Sequence, residues 1–584
     1  MNNTVVKFRS ALLVAFGVFV AIACLAYLSL FLVATPDIDI LFAGRVPLNS
    51  HAVLIQIFRQ ITGWRCAPSD GPLFLACRMR WLVSIPTELA HQPALGTRLI
   101  VLALAPFIAA SVAFHETYVR TPPVETDIVK SGRRVLFGEY ARRAVQAFIR
   151  RAGGTMKDGL WLLPNVQLNL AQAARNILLV GTQGSGKTGV LRAYISQLLT
   201  FGWLTFVFDV KGDMVASLPT EEFILVAPHD ARTWALDLGP EVRNRAVALE
   251  FAAKCVDDEN KKSMWVSAAR AILADLAMVL RARHGDDWSW SELRDCALST
   301  PTHLQHALAE INAPSLPLVS FGADPAENRT VMSVLITMWV AVLASIEPLA
   351  DAFAEVPKER HFTVKDWMAL NGRLPKTLVF QKSLAFPELS GLLGSFLAER
   401  VATAALAPAR RAPEVPRLAL VLDEFSEIPI TRLPSLLSLG REMKVTTIAS
   451  LQDLGQLKSI AGPENAAVIE SRFGIRLVLR LEPGDTIDRI TRTWLGERQI
   501  SRIRDATVEE LRAGITRPRD TVTVPVVRPE VLTDELGVRQ TSEGMMIRLL
   551  VCGFPMVGIV DVPLTTWPDR REAHVAAGSS VELG

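Results

Sequence analysis

The longest apolar stretch stands near the amino terminus. Residues 11–34, ALLVAFGVFVAIACLAYLSLFLVA, carry no charge. As a helix they would rise about 36 Å, more than the ~30 Å of bilayer hydrocarbon. A secretory leader is the alternative, but its apolar region normally runs only about 7–15 residues, so a membrane span is expected. A second run, LIVLALAPFIAASVAF at 99–114, is shorter and contains Pro106. Arg98 sits at its edge, where the stem can snorkel to an interface. A buried core helix would read similarly; a second span is the preferred reading.

Beyond these runs the period changes. The apolar run NILLV at 176–180 enters a glycine-rich turn and then a helical pattern, VLRAYISQLL at 190–199. Buried-strand signals follow at WLTFVFDV (203–210) and FILVAP (223–228). Strand–helix–strand alternation of this kind predicts a parallel sheet with crossover helices. From about 245 to 345 strand signals stop, and SAARAILADLAMVLRARH and VMSVLITMWVAVLASI read as long helices. Strands return at TLVF (377–380), LALVLDEF (418–425), KVTTIASLQ (444–452) and GIRLVLRL (474–481). MMIRLLVCG and MVGIVDVPL read as a terminal hairpin.

Together these signals predict an α/β chain with an inserted all-α domain, preceded by two transmembrane helices. The expected layout is a cytoplasmic N-terminus and first span over 1–34, an external loop over 35–98 and a second span over 99–115. A basic stalk covers 116–165, the first part of the nucleotide-binding domain 166–244, the all-α insertion 245–374, its second part 375–565, and a short tail 566–584.

Composition changes this picture little. With 584 residues the chain has room for two to four domains, and a mean hydropathy of +0.28 is high for a soluble protein but low for a polytopic carrier. The net charge of +3 announces no global field for nucleic acid, so any basic surface is local. Lys7 and Arg9 flank the first span, and Arg120, Lys130, Arg133, Arg134, Arg142, Arg143, Arg150 and Arg151 follow the second. This bias places both chain ends in the cytoplasm. The six cysteines show no CxxC spacing, which argues against a zinc site. Cys66 and Cys77, on the external loop, are left open between a disulfide and two free thiols.

The candidate chemistry sits in four pieces. Gly181, Thr182, Gln183, Gly184, Ser185, Gly186, Lys187 and Thr188 complete the phosphate-loop pattern between a strand and a helix. Glycines let backbone N–H groups wrap phosphates, and the helix adds its positive end. Lys187 would reach the β- and γ-phosphates of ATP, and the Thr188 hydroxyl would hold Mg²⁺. At the tip of LALVLDEF, Asp423 would hold the magnesium through water and Glu424 would polarise the attacking water. Gln452 ends the next strand, the place of a polar γ-phosphate sensor. Arg441, eleven residues earlier, suits a guanidinium reaching into a neighbouring subunit's site. The fourth piece, FVFDVKGD at 206–213, carries Asp209, Lys211 and Gly212 and is weak by spacing alone.

In this order LLVGTQGSGKT, FVFDVKGD, LVLDEF and SLQDLGQL resemble the type IV secretion coupling proteins, the TraG/TraD group of the HerA/FtsK ATPase superfamily. MWVSAARAILADL resembles the start of that group's helical insertion, and the two spans match as well. The resemblance covers about 100–565. It implies a RecA-like P-loop motor domain in a ring-forming, usually hexameric ATPase at the bacterial inner membrane that passes DNA with a bound relaxase-type protein, or effector proteins, to a type IV secretion channel. DNA contacts are expected to be largely sequence-independent. By this resemblance the catalytic positions are Lys187, Glu424, Arg441 and Gln452, with Thr188 and Asp423 at the metal. Val210 and Asp213 depart from the proline and glutamate common in the group, and no extended partner-docking tail follows about 565. Protein-only cargo, an FtsK-type translocase and a membrane scaffold with structural ATP are the competing expectations. Glu424 speaks against the scaffold, and the short tail against FtsK.

Overall fold

The computed structural model describes residues 3–32, 38–40, 44–46, 93–120, 128–152, 159–256, 263–321, 325–370, 374–383, 386–412, 415–427, 431–503, 507–514 and 519–576. The chain divides into two units: Met1–Ile128 with Ser501–Asp520, and Val129–Ile500 with Thr521–Gly584.

In the first unit two helices, Asn3–Leu32 and Pro93–Arg120, pack along each other; they hold residues 11–32 of the first apolar run and all of the second. Phe8 meets Phe114 with ring centroids 5.4 Å apart, and Phe19 meets Phe107 at 4.9 Å. Numbers rise on one helix as they fall on the other, so the pair is antiparallel. Leu12, Leu13, Phe16, Leu104, Phe107 and Ile108 all point outward. By length and composition, one helix among the described residues could cross a membrane, and it lies elsewhere, at Asn328–Ala354; the apolar segment of the first helix, Ala11–Ala26, is shorter. Asn328–Ala354 packs on the helices Met264–His284 and Trp290–Ala297, as a core helix does. Cys66 and Cys77 lie outside the described residues.

The second unit is built on an 11-stranded mixed sheet. Seven strands run parallel in the order Ile475–Val478, Ile177–Val180, Val445–Leu451, Leu418–Leu422, Leu204–Asp209, Thr377–Gln381, Ile224–Val226. Every expected strand is present: TLVF extends one residue further, to Gln381, and the other parallel strands are one to four residues shorter than expected. The hairpin Gly544–Cys552 with Val557–Pro563 extends the sheet antiparallel beside Ile475–Val478.

These strands read as continuous apolar runs because both faces are covered. Ile177 and Leu179 face one core with Ala419 and Val421, under the helix Lys187–Phe201. Leu178 and Val180 face the other with Leu418, Leu420 and Leu422. That second core continues into the inserted helices Arg245–Cys255, Met264–His284, Trp290–Ala297, Pro301–Glu310, Pro325–Ala354 and Val364–Ala369. Asn244, Ser263, Ser289, Thr300 and Thr363 each cap the helix that follows them through a side-chain oxygen. The helix Pro387–Ala405 joins this group to the sheet. At Gly394 an added Cβ would lie 2.6 Å from the Phe380 ring, so only glycine permits the helix to rest on that strand.

Part of the expected stalk 116–165 is built into this body. Val135–Phe137 pairs parallel with Val557–Pro563, and the helix Gly138–Arg151 packs on the latter strand. Its buried positions, Ala141, Val145 and Ile149, recur at helical spacing among basic residues.

Candidate nucleotide-binding and active site

The phosphate loop leaves the strand Ile177–Val180 pinned to both neighbours. The Gly181 N–H donates to the Leu451 carbonyl at 3.1 Å, and the Thr182 N–H to the Arg480 carbonyl at 2.9 Å. Gly184 (φ +72°) and Gly186 (φ +105°) take left-handed backbone that an L side chain strains to adopt. Ser185 Oγ closes the turn by donating to the Thr182 carbonyl at 2.7 Å. The helix Lys187–Phe201 then starts with no side-chain cap, leaving its first N–H groups to the loop's concave side. The Lys187 ammonium folds back on the Gly181 and Thr182 carbonyls. Burial lowers its pKa, while the charges of Glu424 and Asp423 pull it back up and Lys211 lowers it further.

The acidic strand ends at Leu422, so Asp423 and Glu424 stand on the turn beyond it rather than within the strand. Both are 6% exposed. The Asp423 N–H donates to the Phe208 carbonyl at 3.2 Å, and its Oδ1 accepts from Ser450 Oγ at 3.1 Å. Burial raises the Asp423 pKa above the ordinary carboxylate value, against the opposing pull of Ser450, Lys211 and Lys187. Glu424 sits at φ +55°. Its Oε2 accepts from Gln452 Nε2 at 2.8 Å, its Oε1 from Ser426 Oγ at 2.9 Å, and its N–H donates to Ser450 Oγ at 3.3 Å.

Four adjacent parallel strands therefore deliver, at their carboxyl ends, the loop with Lys187 and Thr188, Gln452, the Asp423–Glu424 pair and Asp209. This is the crevice where open α/β sheets place ligands. The residues fit a magnesium-bound nucleoside triphosphate: a glycine cradle, the start of a 15-residue helix and a carboxylate pair stand at the same end of neighbouring strands. Among the described residues no group of three His, Cys, Asp or Glu could hold a metal by itself. A magnesium ion would then draw on Thr188, Asp423 and phosphate oxygens, as is usual for that ion.

Residues 161–558 match the sequence model of the type IV secretion-system coupling protein DNA-binding domain. The chain belongs to this coupling-protein family. The coupling protein TraD of Escherichia coli K12 is 26% identical over 199 residues, which is 33% of this chain and 26% of TraD, so the match spans about a quarter of that relative's length. Among solved structures, the unbound conjugative coupling protein TrwB lacking its first 70 residues superposes with a TM-score of 0.59 at 19% identity, over 76% of this chain and 96% of that one. TrwB in complex with ADP and Mg²⁺ gives 0.59 at 20% identity, over 77% and 98%. At this identity the likeness shows a shared fold.

Within this coupling protein the structure brings together the loop residues Gly181–Thr188, Asp423, Glu424 and Gln452. Arg441 is set apart. It is exposed and precedes Val445–Leu451, the strand that leads to Gln452, and is thus about 20 Å of strand away from its own chain's site. One member, Ser450, goes unread in sequence, and a second, Asp209, is read there only as the weakly marked end of its strand. Ser450, on the same strand face as Gln452, binds both acids, and the only signal was its position two residues before that glutamine. Asp209 is fully buried and accepts from the N–H groups of Lys211, Gly212, Met214 and Val215 at 2.9–3.3 Å.

Proposed function

We propose that this protein is an inner-membrane ATPase that couples DNA, with a bound relaxase-type protein, to a type IV secretion channel. The observation that carries it is the grip on Glu424. A carboxylate held in left-handed backbone between Gln452 and Ser426, one residue from the metal-binding position, is placed to orient and deprotonate water. Strain of this kind costs roughly 1–3 kcal/mol and persists where surrounding contacts over-determine it. Bound ATP–Mg²⁺ supplies the scissile phosphoanhydride and the ion that neutralises its oxygens. Lys187 positions the phosphates, and Gln452 couples the water-activating acid to its strand.

The antiparallel helices Asn3–Leu32 and Pro93–Arg120, apolar on their outward faces, support two membrane spans, with the motor on the cytoplasmic side that the basic flanks favour. The domain boundaries expected from sequence accompany this reading, with the motor beginning earlier, at about Val135. Arg441, remote from its own site, supports a ring, usually a hexamer, in which it serves the neighbour's nucleotide. The family match to a DNA-binding domain and the resemblance to TraD and TrwB favour DNA as cargo over proteins alone.

Steady-state ATP hydrolysis by the full chain in lipid tests the enzyme claim. The wild type turns over, and Lys187→Ala and Glu424→Gln each lose at least about 100-fold. Mixing Arg441→Ala with Glu424→Gln subunits restores part of the rate if the arginine acts between subunits. Retained turnover in Glu424→Gln rejects the assigned base, and an unrestored mixture rejects the role of Arg441.

A further inference from the structure

The FVFDVKGD segment has an exposed lysine that the proposed reaction does not yet use. Its surroundings are built with more order than an exposed loop requires. Asp209 is fully buried, and both its oxygens are spent on the loop that follows: Oδ1 on the N–H groups of Lys211 (3.2 Å) and Gly212 (2.9 Å), Oδ2 on those of Met214 (3.0 Å) and Val215 (3.3 Å). With four backbone donors on its carboxylate, Asp209 is a loop builder rather than a metal ligand. Gly212 turns the chain at φ +78°, and a Cβ there would meet Gln381 Nε2 at 2.5 Å. The far end of the short helix Asp213–Ser217 is held as well, by Arg571, which donates to the carbonyls of Val215 at 3.0 Å and Leu218 at 3.3 Å.

The loop so fixed carries Lys211 to the reacting end of the sheet. Leu204–Asp209 lies directly beside Leu418–Leu422, with Phe208 opposite Leu422, and the Asp423 N–H donates to the Phe208 carbonyl. Strand order therefore puts the acidic pair between Lys187 on one side and Lys211 on the other. The Lys211 charge acts on both Asp423 and Lys187. Among the described residues its ammonium has no hydrogen-bonded partner, whereas Lys187 and Lys382 have theirs.

We propose that Lys211 is a second phosphate-contacting cation of this site, which meets the terminal phosphate of a bound nucleoside triphosphate across the acidic pair from Lys187. It makes and breaks no bond. Water adds to the terminal phosphorus, the bond to the bridging oxygen of the diphosphate breaks, and the water's proton passes to Glu424. Lys211 neutralises the oxygens of the phosphoryl group in flight. A lysine in this place reads the third phosphate and so distinguishes triphosphate from diphosphate. The inference rests on the ATPase reading above.

The test measures binding of fluorescent ADP and of a fluorescent non-hydrolysable ATP analogue to the full chain in lipid, for wild type, Lys211→Ala and Lys211→Arg, alongside steady-state hydrolysis. Lys211→Ala weakens the triphosphate analogue about tenfold and leaves ADP within about twofold. It lowers kcat by roughly 100-fold, and Lys211→Arg recovers most of the lost triphosphate binding. Because the side chain is exposed, the melting temperature without nucleotide stays that of the wild type. Equal losses for both nucleotides, or a lowered melting temperature, mean the lysine only shapes the loop, and the inference falls. Unchanged triphosphate binding and kcat in Lys211→Ala overturn it while leaving the ATPase reading intact. A wild type that binds neither nucleotide overturns both.

Discussion

Glu424 concentrates the residue-scale argument. Few non-glycine residues accept a positive φ without a reason, and here the reason is two side-chain donors and one buried hydroxyl. That hydroxyl, Ser450 Oγ, accepts from the Glu424 N–H and donates to Asp423 Oδ1, so it fixes the spacing of both acids. Ser450→Ala leaves a buried N–H and a buried carboxylate oxygen each one partner short, at about 1–3 kcal/mol. The expected outcome is hydrolysis reduced about tenfold or more with ADP binding nearly unchanged; a wild-type rate would show that Ser450 does not set the acids. Asp209 offers a pH test. Burial, and then the charge of Asp423, raise its pKa from 3.8 to about 6. A carboxyl raised in the folded state contributes stability that is complete below about 4 and is lost as pH rises through about 6. The melting temperature of wild type relative to Asp209→Asn therefore falls between about pH 4 and pH 7, whereas a constant or widening difference contradicts the burial argument. The phosphate loop, Asp423, Glu424 and Gln452 were legible because each ends an apolar strand with a residue that strand has no packing use for. Ser450 was not, because a small hydroxyl inside a strand reads as filler. The role of Asp209 in shaping its loop was illegible for a related reason: its partners are backbone N–H groups, which leave no mark on sequence.

At the scale of elements the largest departure from expectation is the segment after the terminal hairpin. It was expected as a short tail, yet residues 564–576 form a strap on the motor. Trp567 Nε1 donates to Ser196 Oγ at 3.1 Å on the phosphate-loop helix, and Arg192 lies over its ring. Arg571 reaches the carbonyls of Val215, Leu218 and Thr220 and stacks over Phe223 at 5.0 Å. Further on, the Val575 N–H donates to Asp230 and the Ala231 N–H to the Val575 carbonyl. Arg571→Ala removes three hydrogen bonds from a charged donor that is 13% exposed. A loss of roughly 2–4 kcal/mol is expected, seen as a clear fall in melting temperature, while truncating its exposed ion partner Glu221 changes little. Equal melting temperatures for wild type and Arg571→Ala would mean the strap is not held there. Nothing periodic marks this strap, since its partners lie about 350 residues earlier in the chain. The strands, the inserted helices and the hairpin were legible because burial on one or two faces imposes a period on sequence. On the helix Gly138–Arg151 the apolar stripe of Ala141, Val145 and Ile149 is hard to see in sequence because basic residues interrupt it.

The whole molecule combines a sheet whose strand tips bring the candidate nucleotide-site residues together, an inserted helical layer, and an antiparallel helix pair with apolar residues on its outside. The sequence alone supplied the order of these parts; it did not supply the distance of Arg441 from its own site, which only a folded strand reveals and which makes a neighbouring subunit necessary if that arginine is to act. If the proposed function holds, hydrolysis at this site answers to DNA. The most direct measurement is the ratio of ATP turnover with and without DNA, single- and double-stranded, for the full chain in lipid across a salt series. The expected result is stimulation by DNA of unrelated sequences, fading as salt screens phosphate contacts and absent in Lys187→Ala and Glu424→Gln. Turnover that needs both residues yet ignores DNA at every salt concentration would contradict it.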